Sequence, residues 1–242
     1  MAARIDGREN DEIREMKVQR NYISHAPGSV FLEMGKTRIL CTATIENKVP
    51  QFLRGKGVGW ITAEYNMIPR SAPQRILRPQ VTGKIAGRTH EIQRLIGRSL
   101  RAVVDLKKLG EKTIWLDCDV IEADGGTRCA SITGSFIALY DCLRNMVDDQ
   151  LIPEMPVTDF IAAVSVGIVE KKMLADLCFE EDRKAQVDMN VVMNSSGNLI
   201  EVQSTAEEKA FTKQEFLVML DLSMTSIEKL ISFQKKSLLK VS

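Results

Sequence analysis

The stretch from residue 113 to residue 147 constrains the fold of this chain more than any other. It opens with TIWLDCDVIEA, in which apolar side chains recur at every second position, as in a strand with one buried face. Gly125 and Gly126 then interrupt the pattern. Beyond them, apolar side chains recur at helical spacing, at Ile132, Phe136, Leu139, Tyr140 and Leu143. The stretch therefore predicts a strand, a glycine elbow and a buried helix.

The rest of the chain adds strands and two further helices. Residues 29–34 and 37–46 predict a hairpin, and GVGWITAEYNM predicts another strand. A helix is expected from near Thr89, and four more strands are expected after residue 160. This order favours an α/β (α+β) fold with mixed sheets and packed helices. A hairpin-plus-helix layout occurs twice, which suggests a repeat.

The length of the chain, 242 residues with 44% hydrophobic content, allows one sizeable core. Because no segment resembles a linker, we expect a single domain over residues 1–242. We expect a polar lead-in over about residues 1–20 and a last helix over about residues 212–236. Thr212 and Glu215 form a capping box at the start of that helix.

Several classes of protein are disfavoured by simple features. The five cysteines are dispersed and contain no CxxC pair, which favours reduced thiols over a disulfide framework or a zinc site. The N-terminus is polar, and the longest apolar run, roughly residues 160–169, is too short to span a bilayer. His25 and His90 are far apart, so no Ser-His-Asp or Cys-His pairing is predicted. We expect a cytoplasmic protein without membrane association.

The elbow ADGGTR, residues 123–128, is a candidate anion site. Backbone N–H groups at a helix N-terminus attract anions, and glycines let the backbone approach them closely. Thr127 adds a hydroxyl donor, and Arg128 adds a guanidinium that suits phosphate. The alternative is an ordinary strand-to-helix turn, with Asp124 or Thr127 as the N-cap. A second helix entrance, Gly87-Arg88-Thr89, has the same composition, and its alternative is an ordinary capped helix with a surface arginine.

Positive charge is concentrated between Asn47 and His90, although the whole chain carries a net charge of only +1. The segment contains one acid, Glu64, and eight basic residues: Lys48, Arg54, Lys56, Arg70, Arg75, Arg78, Lys84 and Arg88. Much of it is a proline-broken loop, residues 69–86. Such a segment favours a polyanion such as RNA or, equally, an arginine-rich interface between subunits, and both can be true. A disordered loop is the remaining alternative.

Carboxylates cluster in CFEEDRKAQVDMN, which predicts a hairpin between two strands. Asp182 and Asp188 are six residues apart across that turn and could approach one Mg²⁺ ion. The alternative is a polar hairpin tip. Asp117 and Asp119, on one face of a strand, are a weaker candidate for which a structural role is favoured.

Five segments together resemble the ribonuclease PH family of phosphate-dependent 3′-exoribonucleases, which trim transfer RNA precursors. The segments are GWITAEYNMIPRS, GRTHEIQRLIGRSLRAVVDL, LDCDVIEADGGTRCASITG, AAVSVGIV and EEDRKAQVDMNVVMN. The similarity runs from about Gly7 to about Lys236, and a looser similarity extends to polynucleotide phosphorylase and exosome ring subunits. The chain departs from the family pattern at His90, at Ser204 and in IDGREN, which is closer to the exosome form.

The resemblance implies roles for several of the residues singled out above. It implies phosphate binding by Arg88, Gly126, Thr127 and Arg128. It implies a catalytic pair that holds Mg²⁺, Asp182 and Asp188, and RNA binding by Arg70, Arg75 and Arg78. It further implies a duplicated β-α-β core and a homohexamer, a trimer of dimers.

The implied activity is phosphorolysis, in which inorganic phosphate releases nucleoside 5′-diphosphates from an RNA 3′ end in a reversible reaction. Two other classes remain open from the sequence. One is a non-catalytic RNA-binding ring subunit, against which the presence of both aspartates argues. The other is a small-molecule kinase, against which the missing nucleotide-binding loop argues.

Overall fold

A computed structural model describes residues 4–239 of the chain, apart from residues 79, 80, 82, 84 and 208. The strands are β1 (Met16–Arg20), β2 (Gly28–Met34), β3 (Thr37–Glu46), β4 (Trp60–Met67), β5 (Thr113–Glu122), β6 (Ile161–Val169), β7 (Lys172–Ala175), β8 (Val187–Asn194) and β9 (Leu199–Ala206). The helices are α1 (Gly87–Arg101), α2 (Leu106–Leu109), α3 (Thr127–Asp148), α4 (Phe179–Asp182) and α5 (Lys213–Leu239). None of these helices is both long and apolar enough to cross a bilayer.

The strands form two sheets. The first has the order β1-β2-β3-β5-β4 and is antiparallel except where β4 runs parallel to β5. The chain crosses from β4 to β5 through α1 and α2, as a parallel pair requires. The second sheet has the order β7-β6-β8-β9, and its described pairings are all antiparallel. The predicted α/β (α+β) fold of sheets with packed helices is confirmed, with the first sheet mixed and the second antiparallel in its described pairings. The two halves share a layout of strands followed by a long helix.

Helix α3 is the centre of the molecule. It packs on β2 and β3 of the first sheet and on β6 of the second, so it is buried around most of its circumference. Gly134 on this helix allows a close approach, because a Cβ at that position would lie 3.0 Å from Cys41 Sγ. Helix α5 covers β6 and β8, and residues from both sheets share one hydrophobic core.

Two local predictions need correction. The expected lead-in contains β1, an edge strand that pairs with β2. The expected hairpin carrying the acidic residues is wrong, because β7 and β8 lie on opposite sides of β6 and are joined through α4. The reason is that β6 is buried along its whole length, so it takes a central position and needs a partner on each side.

Candidate active site

The glycine elbow leads into α3 with two consecutive residues in the left-handed region. Gly125 has φ 77° and Gly126 has φ 63°, values that glycine adopts without steric cost. Gly126 is the N-cap of α3, and no side chain in the described residues caps this helix. The alternative with Asp124 or Thr127 as the N-cap is therefore wrong. Polar N–H groups at the start of a 22-residue helix are left for an anion.

The two candidate capping side chains have other partners. The Asp124 carboxylate accepts a hydrogen bond from the backbone N–H of Phe179 at 3.3 Å. The Thr127 hydroxyl lies 2.9 Å from the hydroxyl of Tyr65, a buried residue of β4. This contact fixes Thr127 at the helix entrance.

The second helix entrance follows the same pattern. Helix α1 begins at Gly87, its N-cap is Ala86, and no described side chain caps it. Arg88 is exposed in the first turn. The alternative of an ordinary capped helix is therefore wrong in its cap, although Arg88 is a surface arginine as that alternative expected.

The elbow packs directly against the segment that leads into α4. A Cβ at Gly125 would lie 2.4 Å from the carbonyl oxygen of Leu177 and 2.9 Å from the backbone nitrogen of Phe179. No side chain fits in that space. This contact brings Asp182, the last residue of α4, to the N-terminal end of α3.

The charged groups of the candidate site shift the pKa values of its two aspartates. The pKa values of Asp182 and Asp188 are both raised, first because the surrounding protein desolvates them, although Asp182 keeps much of its surface open to solvent. For Asp188 the pKa reaches about 6, with repulsion from Asp182 as the second cause. Arg88 and Arg128 both oppose these shifts. The two arginines and two aspartates that the sequence singled out therefore lie in one site.

A hydrogen-bonded chain behind Asp188 orients its carboxylate. The Asn190 amide donates to the two carboxylate oxygens at 3.4 and 3.2 Å, and the Cys129 thiol donates to Asn190 Oδ1 at 3.3 Å. Burial raises the pKa of Cys129, so the thiol keeps its proton and remains a donor. Asn190 was missed from the sequence, although its spacing of two residues from Asp188 in a strand places both on one face.

The carboxylate pair has the chemistry to hold a divalent cation such as Mg²⁺. Two hard oxygen donors on adjacent elements leave further positions for water and phosphate oxygens, which Mg²⁺ favours. No cluster of three or more His, Cys, Asp or Glu suited to a metal occurs in the described residues. Asp117, the weaker candidate, instead lies opposite Glu64 on the neighbouring strand. The pKa of Asp117 is raised, mainly because burial desolvates its carboxylate and secondly because Glu64 repels its negative charge.

Comparison with known proteins identifies the family. The model "3′ exoribonuclease family, domain 1" matches residues 12–144, and "3′ exoribonuclease family, domain 2" matches residues 159–226. This chain belongs to the 3′ exoribonuclease family. It is 54% identical over 235 residues to "Ribonuclease PH" of Moorella thermoacetica, with 97% of this chain and 94% of that protein covered. The resemblance drawn from the sequence is confirmed.

Solved structures of low sequence identity share the fold. Rice (Oryza sativa) Rrp46 matches with a TM-score of 0.78 at 17% identity, covering 97% of this chain and 100% of that one. A chain of the Archaeoglobus fulgidus exosome with RNA bound to the active site matches with a TM-score of 0.79 at 24% identity, covering 94% and 91%. This chain therefore shares its overall fold with these two solved chains.

Arg128 has neighbours in this family member that the sequence did not reveal. Its Nη1 donates to Gln203 Oε1 at 3.0 Å and to Glu91 Oε1 at 3.5 Å, and Gln203 Nε2 donates to Glu91 Oε1 at 3.2 Å. Glu91 belongs to α1 and Gln203 to β9, so Arg128 is held between the two halves of the chain. Nothing in the spacing of these three residues predicts that contact.

The arginines expected to bind RNA lie on the proline-broken segment of this exoribonuclease-family chain. Arg70, Arg75 and Arg78 are exposed. The start of the segment is anchored beside the elbow, because the Ser71 carbonyl accepts a hydrogen bond from the Ala123 N–H at 2.8 Å. Within the described part of the chain, no hydrogen bond or ion pair joins Arg75 or Arg78 to the aspartates. Lys84 lies outside the described residues.

Proposed function

We propose that this chain is a phosphate-dependent nucleotidyltransferase that removes nucleotides from RNA 3′ ends by phosphorolysis, with transfer RNA precursors as its substrates. One observation carries the proposal: the N-terminus of α3, which has no side-chain cap, lies against the carboxylate pair. Cys129 in its first turn is hydrogen-bonded to Asn190, which holds Asp188, and the elbow packs on the segment that leads to Asp182. A site with that composition suits an inorganic phosphate beside a phosphodiester. Membership of the 3′ exoribonuclease family supports RNA as the polymer.

The proposed reaction needs no protein nucleophile. An oxygen of inorganic phosphate attacks the phosphorus of the last phosphodiester, and the bond from that phosphorus to the 3′ oxygen breaks. The products are a nucleoside 5′-diphosphate and an RNA one nucleotide shorter that ends in a 3′-hydroxyl. The reaction exchanges a phosphodiester for a phosphoanhydride, so it is reversible, and diphosphates extend RNA.

The protein supplies position and charge. Arg88, Thr127, Arg128 and the N–H groups at Gly126 hold phosphate for in-line attack. Asp182 and Asp188 would hold Mg²⁺, which offsets negative charge on the scissile group. Asn190 keeps the Asp188 carboxylate oriented through the hydrogen bonds described above.

The RNA path and the assembly are parts of the same proposal. Arg70, Arg75 and Arg78 bind the RNA backbone on the way to the site. The active form is a homohexamer, a trimer of dimers, whose mass is measurable by light scattering after size-exclusion chromatography. We place the activity in the cytoplasm, in agreement with five buried cysteines that are all unpaired.

The decisive experiment incubates the full chain with Mg²⁺ and an RNA that has an unstructured 3′ end, with or without inorganic phosphate, and identifies the released nucleotides. Nucleoside diphosphates that form only with phosphate would support the proposal. Monophosphates without phosphate would make the chain a hydrolase. Bound but uncut RNA would favour the non-catalytic ring subunit.

Asp182→Asn tests the role of the carboxylate pair in the same assay. We expect turnover to fall by about 10²- to 10³-fold, the usual effect of losing one charge stabiliser, with RNA affinity unchanged. Arg144→Ala, an exposed change near the far end of α3, is the control. Full turnover of Asp182→Asn would remove this residue from the mechanism.

A further inference from the structure

A buried hydrogen-bonded cluster lies directly behind the elbow, on the side away from the proposed phosphate. Its members are Arg14, Thr37 and Asp176, which are 5%, 1% and 1% exposed. Arg14 donates to Asp176 from Nε at 2.9 Å, from Nη2 at 2.6 Å and from its backbone N–H at 2.8 Å. The arginine charge is matched by this carboxylate, so Arg14 is not itself an anion site.

The same cluster binds the backbone of the elbow. Arg14 Nη1 donates to the carbonyl of Asp124, and Nη2 donates to the carbonyl of Gly125 at 3.4 Å. The Thr37 hydroxyl donates to the Gly125 carbonyl at 2.8 Å and accepts from the Asp124 N–H at 3.0 Å. A Cβ at Gly126 would lie only 3.0 Å from Arg14 Nη2, so the elbow rests on the guanidinium.

These contacts determine where the elbow N–H groups point. In a trans peptide the C=O and the following N–H point in opposite directions. Because the carbonyls of Asp124 and Gly125 point toward the cluster, the N–H groups of Gly125 and Gly126 point away from it. Successive N–H groups held on one side of the backbone form an anion-binding concavity. Glycines have wide conformational freedom, so they need such outside contacts to keep this shape.

We propose that Arg14, Thr37 and Asp176 are positioning residues that hold the Gly125–Gly126 elbow in its phosphate-binding shape, an inference that rests on the function proposed above. They do not touch phosphate. They act through the backbone. Arg14 precedes β1, Thr37 is the first residue of β3, and Asp176 directly follows β7.

Thr37→Val is the sharpest test, because valine keeps the volume and removes only the hydroxyl. We expect the Kd for inorganic phosphate to rise about tenfold, as losing two hydrogen bonds to one element would produce. RNA affinity and kcat at saturating phosphate should each stay within about threefold of the values for the unmodified chain. That change is smaller than the tenfold expected for phosphate affinity. Thr37→Ser, which restores a hydroxyl, should recover phosphate affinity. Thr44→Val, on an exposed position of the same strand, is the matched control.

Phosphate binding is measured by titration calorimetry on the full chain, so the result does not depend on turnover, and thermal unfolding is followed in parallel. An unchanged Kd in folded Thr37→Val would overturn the inference, as would an equal loss of phosphate and RNA affinity that serine does not rescue. If the unmodified chain bound phosphate but released no diphosphates, the proposed function would fail while the Kd comparison still decided this inference. If it bound no phosphate, both would fall.

Discussion

At the scale of single residues, Asp188 has a carboxylate whose charged form is destabilised by its surroundings. Its pKa is raised to about 6 because it is partly buried and because Asp182 repels its negative charge. The native state therefore binds a proton at Asp188 more tightly than the unfolded chain does. The contribution of Asp188 to the free energy of unfolding is fully present below the pKa that this residue has in the unfolded chain. It is lost as the pH rises through about 6, the pKa in the native state. In the proposed mechanism, such a residue is kept for its chemistry at the expense of stability.

Asp188→Asn should consequently stabilise the protein while it abolishes turnover. Without Mg²⁺, we expect the free energy of unfolding at pH 8 to rise by about 1 kcal/mol, since the amide carries no charge next to Asp182. At pH 5 the difference should nearly vanish, because the native aspartate is then largely protonated. Urea unfolding at the two pH values measures both quantities. A variant that is less stable than the unmodified chain at pH 8 would contradict the assignment of the raised pKa.

At the scale of elements, the capping box of α5 is a local device with a measurable contribution. The Thr212 hydroxyl accepts from the Glu215 N–H at 3.2 Å, and the Glu215 carboxylate accepts from the Thr212 N–H at 2.6 Å. These bonds satisfy two backbone donors at the start of a 27-residue helix. The helix covers the second sheet, so its start affects the stability of the whole core.

Thr212→Ala should lower the free energy of unfolding by about 1 kcal/mol, the usual effect of losing an N-cap. The control is Thr225→Ala in the middle of the same helix, where the hydroxyl only bonds back to the Asp221 carbonyl at 3.2 Å. That change should be neutral or slightly stabilising, because alanine is the better helix former. Chemical denaturation of both variants makes the comparison. Equal losses at the two positions would mean that the cap does not act as described.

The elements also show what the sequence can and cannot predict. Period-two runs such as TRILCTATIE located their strands correctly, because alternation depends only on which face is buried. The β7–β8 hairpin was wrong, because strand pairing depends on the burial of β6, which local spacing does not encode. Strand β1 was missed because MKVQR alternates only weakly and gains its pairing from β2.

The same distinction holds within the site. Arg88, Arg128, Asp182 and Asp188 could be selected from the sequence because each belongs to a motif with a chemical rationale. The contact of Arg14 with Asp176 could not be, because it joins residues 162 positions apart that have no shared pattern. Long-range partners of this kind are set by topology, which a single sequence leaves open.

At the scale of the whole molecule, charge is distributed unevenly. The chain has a net charge of +1, yet its exposed arginines at positions 70, 75 and 78 follow one another on the segment that starts beside the elbow. In the function proposed here, this local positive potential would draw a polyanion toward the site without making the rest of the surface bind RNA.

Arg75→Ala and Arg78→Ala should each weaken RNA binding in a salt-dependent way. If each side chain contacts one phosphate, the slope of log K against log salt concentration should fall by about 0.7 per substitution with single-stranded RNA. Phosphate affinity should not change. Fluorescence anisotropy at several salt concentrations measures the slope, and Arg144→Ala is the control of equal charge. Slopes that match the control would place the RNA path elsewhere.

The dependence of the elbow on a partner far along the chain bears on protein synthesis. The glycines at positions 125 and 126 are translated before Asp176, the partner of Arg14. Both proposed catalytic aspartates, 182 and 188, are translated later still. A chain interrupted before these residues would have neither the completed phosphate site proposed here nor the carboxylate pair. A chain that ends before residue 188 would therefore lack the activity proposed here.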